Sequence, residues 1–174
     1  MERSANVTQY GTFRARTARS PPRVSHPYRS PMLIIRPFQF DDERAVVELW
    51  MRCGLVQPQN DPRKDIRRKS KVNPEMFLVG LLDGELVASV MAGYEGHRGW
   101  INYLAVSPEH RQQGLGRRMM AEAERLLRAA GCPKINLQVR TSNAEVLAFY
   151  RAIGFAPDEV VSLGKRLEHD ARRG

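Results

Sequence analysis

A chain of 174 residues is one ordinary domain, long enough to bury roughly two thirds of the surface that its unfolded form exposes. Its two cysteines, Cys53 and Cys132, stand far apart without metal-ligand spacing, and no apolar run reaches the ~18 residues of a membrane span; a metal-free, soluble protein of a reducing cytoplasm is expected. The formal net charge is +9, but residues 1–31, with six arginines against Glu2 alone, hold +5 of it, so the remaining +4 gives no sign of a membrane or nucleic-acid partner.

Residues 1–31 include "RARTARSPPRVSHPYRSP", which is rich in Ser, Pro and Arg and shows neither helical nor strand periodicity. The stretch has too little apolar material to offset the entropy of ordering, and it reads as a disordered basic extension. No apolar segment follows it as a secretory signal would require. A flexible tail that touches anions, an organelle-type transit peptide and sequence upstream of the true start are the competing explanations. Met32, directly before the strand-like "LIIRPF", favours the last and places the compact domain over 32–170.

From residue 33 the pattern is strand, helix, helix, then strands and helices in alternation. After the strand at 33–38, Asp41 or Asp42 is expected to cap a helix with apolar face Val46, Val47, Leu49, Trp50 and Cys53, ended by Gly54. The loop "LVQPQNDP" leads to a basic helix, "PRKDIRRKSKV", with Pro62 in its first turn. "MFLVGLL" and "ELVASVMAGY" flank the hairpin turn Asp83-Gly84, and "EGHRG" separates them from the strand "WINYLAV". A long helix, "GRRMMAEAERLLRAAG", a buried strand, "KINLQV", an amphipathic helix, "AEVLAFYRAIG", and a last strand, "VVSLGKRL", complete the chain. Hairpins mixed with strand-to-helix crossovers predict an α/β (α+β) fold: a twisted mixed sheet with helices on both faces.

The stretch "LAVSPEHRQQGLGRRMM" (104–120) passes from strand to helix through two glycines and three arginines. Glycine inside a helix costs roughly 1 kcal/mol against alanine, so these two serve something other than helix stability. A strand that feeds a glycine turn and then a helix leaves backbone N–H groups unpaired at the positive end of the helix dipole, an arrangement suited to phosphates. Gly114 and Gly116 would let a pyrophosphate approach the amides, with Arg111, Arg117 and Arg118 adding charge. A softened turn with a solvated basic helix end is the alternative. The spacing is neither that of a Walker loop nor that of a dinucleotide fold; it is R/Q-x-x-G-x-G.

With those residues in view, 33–168 resembles the GNAT superfamily of acetyl-CoA-dependent N-acetyltransferases. The 104–120 stretch looks like its acetyl-CoA signature, and "SNAEVLAFYRAIGF" (142–155) looks like its second signature. "NDPRKDIRRK", "GYEGHRG", "GCPKI" and "SLGKRL" further resemble the bacterial YpeA subgroup, whose substrates are largely undefined. The resemblance implies a sheet of six to seven strands whose central parallel pair splays apart. Acetyl-CoA would enter as co-substrate, an amine would accept the acetyl group, and a homodimer is admitted.

By the same resemblance the pantetheine arm pairs with the backbone of Leu104 and Val106, with Ala105 between them. The pyrophosphate meets Arg111, Gln112, Gln113, Gly114, Leu115, Gly116 and Arg117. Asn143 caps the later helix and can hydrogen-bond the cofactor, and Tyr150 protonates the departing thiolate. A primary amine would attack the thioester directly, with backbone N–H near Val106 stabilising the oxyanion. The general base departs from well-studied relatives: Trp100, Asn102 and Gln138 occupy the positions where those carry an acid or histidine, and none accepts a proton usefully. The base is then either water relayed to bulk or a group on another element; Tyr94, Glu95, His97 and Asp65 are the candidates, with Glu95 favoured and the assignment open. A non-catalytic acyl-CoA-binding regulatory module is the alternative, motivated by the missing base, and the acceptor is not written in the sequence.

Overall fold

The computed structural model describes residues 32–168. The expectations for 1–31 lie outside the described residues. Five strands and four helices follow the chain: β1 (Leu33–Pro37), α1 (Glu43–Arg52), α2 (Pro62–Lys69), β2 (Phe77–Leu82), β3 (Glu85–Tyr94), β4 (Gly99–Val106), α3 (Leu115–Ala129), β5 (Ile135–Leu137) and α4 (Ala144–Ala152). The strands form one sheet in chain order, antiparallel from β1 to β4, with β5 added parallel to β4 by the crossover through α3.

Strand alternation divides the core into two layers. Phe77 and Val79 of β2 and Met91 of β3 face α1 and α2, where Val46, Leu49, Trp50 and Ile66 bury them. Leu78, Ala88, Val90 and Ala92 face the other way, onto Met119, Met120, Ala123 and Leu127 of α3. Each helix therefore covers one face with one apolar stripe, as the 3.6-residue period requires. At the β2–β3 turn Asp83 and Gly84 both take positive φ, 50° and 88°, which matches the right-handed twist of the hairpin. Asp61 caps α2 by accepting from the N–H of Arg63 at 2.9 Å and of Lys64 at 3.3 Å, and Pro62 fills the first turn, where no N–H is needed. No helix among the described residues is long and apolar enough to cross a membrane.

Three expectations are corrected. Asp42 stands at the start of α1 but makes no side-chain cap; its carboxylate instead takes both guanidinium nitrogens of Arg36, at 2.7 and 2.8 Å, and the Gln39 N–H at 2.8 Å. That bidentate, charge-assisted pair outcompetes a single cap bond and holds the Asp42 carboxyl below its usual range. The strand read from "KINLQV" is only three residues long and half-buried, because it pairs with β4 over three positions and then leaves it. "VVSLGKRL" joins no ladder, so the sheet has five strands among the described residues rather than six or seven.

That last segment runs beside β5 held by side chains alone. Asp158 accepts from Lys134 and Asn136, and Ser162 meets the Gln138 amide. A groove of about 1250 Å³ is lined in part by Asn136, Gln138, Val160 and Ser162. Val161, Leu163 and Leu167 are exposed.

Candidate active site

The parallel pair β4–β5 holds for three residues, Gly99–Ile135, Trp100–Asn136 and Ile101–Leu137, and then opens. Beyond Ile101, β4 continues to Val106 with β3 on one side and, among the described residues, no strand on the other. Ser107 N–H donates to Val87 O at 2.8 Å, which makes Ala88–Val106 a pair without mutual hydrogen bonds and Ala105 the residue bonded to β3. Main-chain groups of Leu104 and Val106 consequently turn toward the open side. One of them, the Val106 carbonyl, accepts from the Cys53 thiol at 3.3 Å.

The strands part where β4 carries a bulge. Ser89 stands opposite Ala105 and Met91 opposite Asn102, so Val90 alone faces Tyr103 and Leu104. A bulge bends its strand and sharpens the local twist, which carries β4 away from β5. Tyr103 takes φ 51° to form it. Among the described non-glycine residues with positive φ, Asn73 and Asp83 are types that tolerate this region, whereas Tyr103 and Gln112 are not. Both strained residues border the opening, a distribution that marks functional sites.

Side-chain contacts hold the bulge. The Ser89 hydroxyl accepts from Trp50 Nε1 at 2.8 Å and donates to the Tyr103 carbonyl at 3.2 Å. The Tyr103 ring stacks on Trp50 with centroids 4.0 Å apart. Its hydroxyl donates to Asp65 Oδ2 of α2 at 2.7 Å. Tyr103 thus belongs to the layer of α1 and α2, and no sequence signal marked it, because the extra residue that re-aims it leaves no trace in composition or motif.

Below β4, the chain turns into α3 through the glycine loop. Gly114 takes φ 77° at the helix N-cap position with open space where a Cβ would stand, while Gly116 has a different reason to be small: a Cβ there would meet the Phe149 ring at 3.3 Å and Val106 at 3.7 Å. Among the described residues no backbone acceptor meets the N–H of Gly114, Leu115, Gly116 or Arg117, and the N-cap supplies no side chain. Arg111, Gln112, Gln113 and Gly114 are exposed. Glu109 anchors the start of the loop, accepting from Ser107 and Arg52; the Ser107 hydrogen bond, first among these, brings its carboxyl down to about 2. The arginines divide their labour. Arg117 donates to Ala152 O at 3.1 Å at the end of α4, Arg118 donates to Leu33 O at 3.0 Å at the start of β1, and the Arg111 guanidinium meets no partner among the described residues.

Helix α4 brings the second signature to the same place. Asn143 accepts from the Val146 N–H at 3.2 Å as a cap, and its side chain is exposed beyond that bond. Tyr150 is 9% exposed in the cluster against which Leu104, Val106 and Phe149 pack. Phe149 and Phe155 approach its ring edge-on, at 5.1 and 5.5 Å, and its hydroxyl has no hydrogen-bond partner among the described residues. Burial pushes the phenol up to about 12, so it stays protonated throughout the neutral range.

The hairpin candidates for a base do not reach the opening. Glu95 Oε1 accepts from the Arg98 N–H at 2.7 Å, Tyr94 donates to Gly96 O at 3.0 Å, and His97 is exposed in the same turn. The turn lies beyond Gly99, at the paired end of β4, about four residues or ~13 Å of strand from Tyr103. Asp65 is the one candidate that the fold carries to the bulge.

The family model for the "Acetyltransferase (GNAT) family" matches residues 43–155, which span α1 to the end of α4. An acetyltransferase from Pectobacterium atrosepticum is 46% identical over 136 residues, 78% of this chain and 96% of that protein. In structure, Ard1 from Thermoplasma volcanium superposes with a TM-score of 0.65 at 26% identity, covering 71% of this chain and 82% of that one. AAC(6')-Iy, solved with the bisubstrate analog CoA-S-monomethyl-acetylneamine, gives 0.64 at 18% identity over 78% of this chain and 99% of that one, a likeness of fold. A parallel pair opened by a bulge above an uncapped helix N-terminus, and a match over most of the described residues, lead to one assignment: the protein belongs to the GNAT family of acetyltransferases.

Proposed function

We propose that the protein transfers the acetyl group of acetyl-CoA to a primary amine by direct attack within a ternary complex. The observation that carries this reading is the opening between β4 and β5, bordered by main-chain groups of Leu104 and Val106 and ending at the unpaired N–H groups of Gly114 to Arg117. Pantetheine is a chain of two amides that needs a strand-like edge, and a pyrophosphate needs clustered N–H donors beside positive charge; this one path offers both, in that order, with Arg111 at its exposed end. The bisubstrate analog named for AAC(6')-Iy, a coenzyme A joined to an acetylated amine, is the kind of ligand that the path suits.

In this reading Tyr150 supplies the acid. The amine lone pair forms a bond to the thioester carbon, and the carbonyl electrons move to oxygen, where a backbone N–H near Val106 stabilises them. Collapse breaks the C–S bond, and sulfur takes the Tyr150 proton. A phenol raised to about 12 holds that proton until a thiolate leaves.

Calorimetry with acetyl-CoA, followed by thiol release with a panel of alkylamines, aminoglycosides and peptides bearing a free N-terminus, tests the proposal. Uptake of acetyl-CoA with amine-dependent thiol release is the expected result. Absence of uptake overturns it, and uptake without thiol release replaces it with an acyl-CoA-binding module.

A further inference from the structure

We infer that Tyr103 is the group that removes the proton from the attacking amine, with Asp65 as the positioning residue that receives it. The inference rests on the acetyl-transfer reading above and supplies a base where Trp100, Asn102, Gln138 and the hairpin offer none.

The two tyrosines at the opening stand on opposite faces of the sheet. Tyr150 belongs to the layer of α3 and α4, and Tyr103 to the layer of α1 and α2. A thioester held between β4 and β5 therefore presents its sulfur toward one hydroxyl and its free carbonyl face toward the other. Addition of the amine to the carbon and protonation of the departing sulfur are then served by separate groups that do not compete for the same space. Without the bulge, Tyr103 would share the face of Ile101, two residues earlier, and both hydroxyls would lie on the α3 side.

Asp65 is placed for the role by its own partners. One carboxylate oxygen, Oδ1, accepts from Arg68 at 3.0 Å, and the other, Oδ2, accepts from Tyr103 at 2.7 Å. Arg68 in turn pairs with Glu168 at 3.0 Å. The carboxylate is thus fixed by a guanidinium on one side and faces the phenol O–H on the other, in line to receive the phenol proton.

The step balances as follows. As the C–N bond forms, the amine proton moves to the Tyr103 oxygen, directly or across one water, while the Tyr103 proton moves to Asp65 Oδ2. Tyr103 stays neutral, Asp65 becomes neutral, and the proton on Asp65 leaves to solvent once the amide has formed. Tyr150, having given its proton to sulfur, regains one from solvent. The net change is amine plus thioester to amide plus thiol.

A structural tie between α2 and β4 would use the same hydrogen bond, so the test must separate the two roles. Tyr103→Phe keeps the ring on Trp50, and Asp65→Asn keeps the size of the side chain, so both variants are expected to fold. Steady-state kinetics would be measured on the full chain with acetyl-CoA and amines of decreasing basicity, from ethanolamine through an alanyl peptide to hydroxylamine. The expected result is a fall in kcat of about 100-fold with ethanolamine for both variants, with KM for acetyl-CoA within about twofold of wild type. The loss should shrink to a few fold with hydroxylamine, whose nitrogen surrenders its proton more readily, and Asp65→Glu should recover part of kcat. An unchanged kcat, a loss equal for every amine, or a larger loss from Glu95→Gln than from Asp65→Asn would overturn the assignment while leaving acetyl transfer intact. Wild-type protein that binds acetyl-CoA but acetylates none of the amines would overturn the acetyl-transfer reading itself, and the role of Tyr103 with it.

Discussion

Ile101 and Tyr103, two residues apart on one strand, pack on opposite faces of the sheet. Regular β-structure forbids this, because side chains two apart share a face. The extra residue opposite Val90 resets the phase, and the reset coincides with the point at which β4 parts from β5. Bulge, opening and placement of the Tyr103 hydroxyl are therefore one structural event.

Ser89 should prove the pin of that event. Its hydroxyl is buried and satisfies both the Trp50 indole N–H and the Tyr103 carbonyl. Ser89→Ala leaves an indole donor unpaired in the core, which costs about 1–3 kcal/mol. Chemical denaturation should show that loss, and the KM for acetyl-CoA should rise with it as the bulge loosens. An unchanged midpoint would mean that water replaces the hydroxyl.

The two loop glycines should fail for different reasons. Gly114→Ala forces a left-handed alanine at a cost of about 1–2 kcal/mol, meets no protein atom, and places a methyl where the phosphates are proposed to lie; acetyl-CoA affinity should drop about tenfold or more. Gly116→Ala brings a methyl to 3.3 Å from the Phe149 ring, which must yield by a few tenths of an ångström, and this offsets the gain in helix propensity of up to about 1 kcal/mol. Adding Phe149→Leu should restore the stability of Gly116→Ala and leave Gly114→Ala unimproved. Thermal melts and calorimetry read the two effects separately.

Arg111 and Arg117 should likewise separate. Arg111→Ala is expected to weaken acetyl-CoA binding severalfold, with the difference shrinking as salt rises, because its contribution is an exposed charge. Arg117→Ala removes a bond to the last turn of α4 and should lower the melting temperature by a few degrees. Isothermal titrations at two salt concentrations, paired with thermal melts, distinguish them. Equal losses of affinity from both would place Arg117 on the phosphates as well.

Tyr150→Phe should lower kcat by about 100-fold and leave the Kd for acetyl-CoA nearly unchanged. The same variant carries a stability signature. Because burial raises the phenol from 10 to about 12 in the folded protein, both states are protonated below pH 10 and the residue adds no pH dependence there. Between pH 10 and 12 the unfolded chain ionises first, and the folded state loses up to roughly 3 kcal/mol. Unfolding midpoints followed through pH 9 to 12 should fall more steeply for wild type than for the phenylalanine variant; parallel curves would mean that the hydroxyl is solvated.

The sequence by itself determined the elements and the order in which they join. The apolar stripe of α1, the Asp83-Gly84 turn, the Asn143 cap and the strand–glycine–helix passage at 104–120 are local patterns, and local sterics and hydrogen bonding decide them. It also carried both family signatures, since these are spacings along one chain. Tertiary structure alone decided the pairing of Tyr103 with Asp65 on which the proposed base rests, the phase of β4 and the different duties of Gly114 and Gly116. Each of these depends on a partner far away in sequence: Asp65 against Tyr103, Val90 against two residues at once, Phe149 against a missing Cβ. Periodicity reads which face a residue should take when every pair is in register; only the assembled sheet shows where register is broken, and here that break sets the geometry of the site.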